Sequence, residues 1–77
     1  MTKIRDKAFI KAFGVNLRRL RIDKGLSQEE LAYESDIPIN QIGRIERGEV
    51  NTTISTILVI SKALKIPHKE LLDFDYK

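Results

Sequence analysis

The side chains of this chain with the clearest chemical use are Asn40 and Arg44, one helical turn apart. Asparagine can pair with both polar groups on the exposed edge of adenine, and arginine with both acceptors of guanine. Each such pair is worth about 1–3 kcal/mol of discrimination. They lie in Ile39-Asn40-Gln41-Ile42-Gly43-Arg44-Ile45-Glu46-Arg47, closed by Gly48. As a helix over about 39–47, this stretch places Ile39, Asn40, Gly43, Arg44 and Arg47 on one outward surface and buries Ile42 and Ile45. So small a domain has no internal need for that polar side. Arg47 suits a phosphate, where it adds affinity without sequence preference; a cation at a helix C-terminus also complements the dipole, worth under about 1 kcal/mol. Ile39 can meet a thymine methyl or fold back on the turn. Gly43 costs roughly 0.5–1 kcal/mol of helix stability against alanine, and fits either a close backbone approach to DNA or simple drift.

These side chains need a scaffold, and the local signals predict an all-α one. Phe9, Phe13, Leu17 and Leu20 recur at helical spacing from about Lys7 to Lys24, and Gly25 supplies a left-handed stop. Ser27, with Glu30 three residues on, forms a capping box, so a second helix starts at Gln28 and runs to about Ser35 with Leu31 and Ala32 inward. The free amides at its start favour a phosphate oxygen beside Gln28. Helix, turn and helix between two glycines is the layout of a helix-turn-helix DNA reader. Asn51, Thr52 and Thr53 follow; they can donate to phosphate, and capping of a fourth helix also accounts for at least one threonine. That helix carries Ile54, Ile57, Ile60, Ser61 and Leu64 along one side and is ended by Ile66-Pro67. A short fifth helix spans His68 to Leu72, where Leu71, with Phe74 beyond it, closes the core. Leu58 and Val59, together with Leu72, Phe74 and Tyr76, are expected to supply a dimer interface, with core closure competing for some of them.

Composition sets the bounds. The 77 residues fit one domain, 1–77, and a domain of this size buries only about 60% of its unfolded surface, so a partner subunit would help. Hydrophobic residues make up 42% and charged residues 32%, which suits a soluble folded chain. The longest apolar run, Ile57 to Val59 and Ile60, is far short of the roughly 20 residues of a membrane span, and the start lacks a signal peptide's apolar core; a cytoplasmic location is expected. Net charge is +3, distributed as +6 over residues 1–25, −4 over 26–50 and +1 over 51–77. DNA binding by the acidic middle segment must therefore come from a few placed groups. Without cysteine there are no disulfides or thiolate sites. An enzyme is disfavoured: His68 has no partner histidine, no glycine loop cradles phosphate, and Glu29, Glu30 and Glu34 belong to a solvated helix face. No cofactor, metal or small-molecule ligand is expected.

From Phe13 to Leu72 the chain resembles the XRE (Cro/C1-type) family of prokaryotic transcription regulators. The matching pieces are Leu17-Arg18-Arg19-Leu20-Arg21, Gly25 through Ala32, Arg44-Ile45-Glu46-Arg47-Gly48, and Ile54 to Leu64 followed by Ile66. Their order and spacing together are specific, whereas each piece alone is common. The resemblance implies a compact five-helix domain of the lambda-repressor type whose third helix enters the major groove. It also implies phosphate contact by Gln28, base reading from the Ile39, Asn40, Gly43 and Arg44 positions, and a structural salt bridge between Arg21 and Glu46. Arg18 and Arg19 either add phosphate contacts or solvate the first helix. The small size without a sensor domain is similar to the restriction-modification controller proteins in that family. Ile39 and Gly43 depart from the family pattern, as does Asp36, where glycine is usual, and Pro38, where a serine or threonine cap is usual. The implied function is sequence-specific binding of double-stranded DNA as a homodimer that regulates transcription. A rival is a protein-interaction adaptor or antitoxin-like module with the same fold.

Overall fold

The computed structural model describes residues 4–76; residues 1–3 and 77, at the ends of the expected 1–77 domain, lie outside the described part. Four α-helices follow in order, α1 (Lys7–Asp23), α2 (Gln28–Ser35), α3 (Ile39–Glu46) and α4 (Ile54–Leu64), and then a 3-10 helix (His68–Leu72). The expected fifth helix is thus a tighter turn type. Its five residues sit between Pro67 and Asp73, a length at which the 3-10 form is common.

The starts are set by side-chain caps. The Asp6 carboxylate accepts from the Phe9 amide, Ser27 and Glu30 form the reciprocal capping box, and the Thr53 hydroxyl accepts from the Thr56 amide. Pro38 precedes α3 without any side-chain cap. It is pre-set at φ −55°, so the first turn of α3 relies on conformational restriction instead.

All four α-helices end the same way. A residue in the left-handed region, Gly25, Asp36, Gly48 or Lys65, reverses the chain. The next residue then donates its amide back to a carbonyl five positions earlier: Leu26 to Arg21, Ile37 to Ala32, Glu49 to Arg44, and Ile66 to Ser61. Asp36 at φ 58° fills the family's glycine position, which an aspartate tolerates better than most residues. Lys65, also at φ 58°, stops α4 one residue before the Ile66-Pro67 pair from which the sequence predicts the stop.

Ile10, Phe13, Leu17 and Leu20 of α1, Leu31 of α2, Ile42 and Ile45 of α3, Ile60 and Leu64 of α4, and Leu71 of the 3-10 helix are buried. Full burial of such a side chain is worth about 1.5–3 kcal/mol. Leu26, Ile37 and Ile66, each the residue after a left-handed stop, pack against this core and so staple the helix ends to it. Ile54 departs from the expected apolar side of α4: it is 86% exposed, and the helix first meets the core at Ile57.

Two contacts set the position of α3. Gly14 of α1 lies against the backbone of α3, where a Cβ would strike the carbonyl oxygens of Ile45 and Glu46. Arg21 of α1 and Glu46 of α3 then lock the two helices with an ion pair, Nε to Oε2 at 2.6 Å and Nη2 to Oε1 at 3.1 Å. Their side chains are 8% and 2% exposed. The same Arg21 donates to the Leu26 carbonyl at 2.8 Å, so the α1–α2 turn is held by the group that fixes α3. In the middle of α1 the buried Asn16 donates to the carbonyls of Glu70 and Leu71, at 2.9 and 3.1 Å, and secures the 3-10 helix.

Candidate nucleic-acid interface

Burying Ile42 and Ile45 turns the opposite side of α3 to solvent. Ile39, Asn40, Arg44 and Arg47 are all exposed there, with Gln41 half-buried at the flank. Asn40 and Arg44 have no hydrogen-bonding partner within 3.5 Å among the described side chains that would divert their planar polar ends from a ligand, apart from a looser approach of Arg44 Nε to the Glu49 carboxylate at 3.8 Å. Ile39 remains exposed rather than folding onto the turn.

Gly43 is covered by a neighbouring side chain. It lies on the outward side of α3 but is buried there, because the Arg47 guanidinium lies across it: a Cβ at Gly43 would sit 2.9 Å from Arg47 Nη1 and 3.9 Å from Gln28 Nε2. The missing side chain makes room for two neighbouring polar side chains.

Gln28 therefore arrives at the same place from α2. Its Nε2 donates to Glu46 Oε1 at 3.0 Å, so the buried carboxylate that pairs with Arg21 also orients the amide of Gln28. The capping box uses the Ser27 and Glu30 amides, which leaves those of Gln28 and Glu29 at the positive end of α2 for an outside acceptor. An anion resting on this helix end would meet the Gln28 side chain and the Arg47 guanidinium together.

The loop after α3 divides the three residues expected to reach phosphate. Thr53 uses its hydroxyl to cap α4 and approaches Thr56 Oγ1 at 2.9 Å. The Thr52 hydroxyl is turned inward without a partner among the described residues, which takes it away from an external phosphate. Asn51 is exposed, and its Nδ2 lies 3.5 Å from the Ile4 carbonyl. Arg5 approaches the same loop, donating to the Glu49 carbonyl at 3.3 Å. On α1, Arg19 is engaged with Asp23 and Asn16, and Arg18 is exposed.

Glu49 was not among the residues singled out from sequence. Its carboxylate accepts from Arg47 Nε at 2.8 Å. That hydrogen bond and charge hold the Glu49 carboxyl below its usual range and raise the Arg47 guanidinium above its own. The available signal was its position directly after the left-handed Gly48, where a helix end usually places an apolar residue.

Of the residues expected at a dimer interface, Leu58, Val59 and Leu72 are exposed. Phe74 is half-buried against Phe9, with ring centroids 5.2 Å apart, and Tyr76 meets Phe9 edge-on at 5.0 Å. Phe74 is therefore claimed by packing within the chain, while Tyr76 keeps an exposed side.

The helix-turn-helix family model (HTH_3) matches residues 17–71, which takes in α2, α3 and their connection. This chain belongs to the helix-turn-helix family. Members of this family regulate transcription through this DNA-binding fold. The control protein C.BamHI of Bacillus amyloliquefaciens is 46% identical over 63 residues, covering 80% of this chain and 78% of that protein. The control protein C.SmaI of Serratia marcescens is 42% identical over 57 residues, covering 74% and 68%. Among solved structures, the restriction-modification controller protein C.AhdI of Aeromonas hydrophila has a TM-score of 0.79 at 44% identity, covering 80% of this chain and 94% of that one.

Proposed function

We propose that this helix-turn-helix protein acts as a homodimeric transcription regulator of the controller type, binding a near-palindromic duplex site in sequence-specific fashion. The observation that carries this reading is the convergence on one surface of Asn40 and Arg44 from α3 with Gln28 and the free amide end of α2. In this reading α3 enters the major groove, Asn40 and Arg44 meet base edges, and Ile39 offers an apolar contact to a thymine methyl. Gln28 and Arg47 take the flanking phosphate, and Asn51 extends the backbone contact. The similarity to controller proteins supports a regulatory rather than an enzymatic role, and a cytoplasmic one; among the described residues no helix is long and apolar enough to cross a membrane.

A single reading head covers about 600–1,000 Å² of DNA-facing surface, so two copies are needed for a tight site. Leu58 and Val59 on α4, with Leu72 and the free side of Tyr76, form the proposed face for the second copy. The two α3 helices would then lie in successive major grooves about 34 Å apart.

Enrichment of random duplexes on the purified protein tests the reading, and a two-fold-symmetric motif is the expected product. Arg44→Ala should relax preference at one base pair in each half-site. Gln28→Ala should weaken all sites by a similar factor. If no duplex is preferred at low ionic strength, the assignment is wrong.

A further inference from the structure

At three of the four helix ends the residue after the left-handed stop is apolar, Leu26, Ile37 or Ile66, and packs on the core. At the end of α3 that position holds Glu49. Its backbone makes the same return hydrogen bond, amide to Arg44 carbonyl at 2.9 Å, so the end is formed equally well. Its side chain points the other way and seats its carboxylate on the outward arginines, at 2.8 Å from Arg47 Nε and 3.8 Å from Arg44 Nε. Gly48 fixes this geometry twice over, through its φ of 75° and through close contact with Lys11, which a Cβ would meet at 2.8 Å. The Arg5 guanidinium also donates to the Glu49 carbonyl, at 3.3 Å.

We propose that Glu49 is an internal competitor for DNA phosphate: its carboxylate occupies the Arg47 guanidinium in the free protein and must give it up when a duplex binds. A carboxylate and a phosphate present similar oxygen pairs to a guanidinium, so one Arg47 serves one of them at a time. Left beside the backbone after displacement, Glu49 also faces phosphate with a like charge. Phosphate contacts account for nearly all binding to non-cognate duplex, so this competition weakens attachment to DNA of any sequence. Base reading by Asn40 and Arg44 is untouched in kind, and the order of preferred sites stays the same.

This inference rests on the DNA-binding reading above, and its test separates the two. Glu49→Gln keeps the side-chain shape and the backbone bond and removes the charge. Titrations of a random-sequence duplex and of an enriched duplex, at low and at moderate salt, should show it binding both about two- to fivefold more tightly than the unaltered protein, as the loss of an exposed ion pair predicts. The gain should shrink markedly when the same substitution is made together with Arg47→Ala, leaving only the part due to like-charge repulsion. Equal or weaker binding by Glu49→Gln overturns the inference while the DNA-binding reading stands. A gain that persists at full size without Arg47 overturns it too, because it would then be a general effect of net charge. If the unaltered protein binds no duplex at all, the reading falls and the inference with it.

Discussion

Glu46 is the residue on which most of the interface geometry depends. It accepts from Arg21 in the interior and from Gln28 at the start of α2, so one carboxylate ties a structural pair to an amide of the proposed DNA-facing surface. Removing Arg21 leaves that charge buried with a single neutral donor. Arg21→Ala should therefore cost about 3–5 kcal/mol in urea denaturation, a large share of the roughly 4–11 kcal/mol expected for a chain of this length. Replacing both partners by apolar residues, Arg21→Met with Glu46→Leu, should cost less than Arg21→Ala alone, since no unpaired charge remains. Gly43 behaves in the opposite sense. What a Cβ would meet there is the far end of Arg47, which can move, so Gly43→Ala should raise stability by about 0.5–1 kcal/mol and the thermal midpoint by a few degrees. Helical spacing located Gly43 on the outward side, but it could not show that the long side chain one turn further on would lie over it. That depends on where Arg47 finds room.

The helices themselves were readable because their boundaries are made locally. The Ser27–Glu30 box, the glycines at 25 and 48, and the aspartate at 36 act within a turn of the ends they set. Contacts between helices carry no such local mark. Gly14 reads as an ordinary glycine inside α1, yet the carbonyls of Ile45 and Glu46, some thirty positions later, leave no space for a methyl group. Gly14→Ala should thus destabilise by about 3 kcal/mol despite its higher helix propensity, because backbone cannot yield as a guanidinium can. Measured together by chemical denaturation, the Gly14 and Gly43 substitutions should have opposite signs. The 3-10 helix depends on a comparable distant contact, the Asn16 amide on two of its carbonyls.

At the scale of the whole molecule, charge and apolar surface are separated. The first 25 residues carry a net +6 and the next 25 a net −4, so the arginines of α3 lie inside a locally acidic stretch, while α4 exposes Leu58 and Val59. Leu58→Asp should lower dimer affinity at least tenfold in sedimentation equilibrium while leaving the far-ultraviolet circular dichroism unchanged. Binding to a two-half-site duplex should weaken in step, and binding to a single half-site should not. Phe74 is a poor position for the same test, because its packing on Phe9 makes a fold defect and an interface defect hard to separate.

Periodicity, caps and stops in this sequence determined an all-helical chain, the placement of α2 and α3 on either side of a tight turn, and the polar outward side of α3. These rest on interactions between residues within about four positions, which any local stretch reveals. Tertiary structure alone decided that Gly14 is a contact point, that Gly43 lies beneath Arg47, that Glu46 serves both Arg21 and Gln28, and that Glu49 holds the outward arginines. The first and third depend on the angle and separation at which two elements meet, set by the packing of the shared core, and the other two on the rotamers that Arg47 and Glu49 take at the end of α3, which spacing along the chain does not specify.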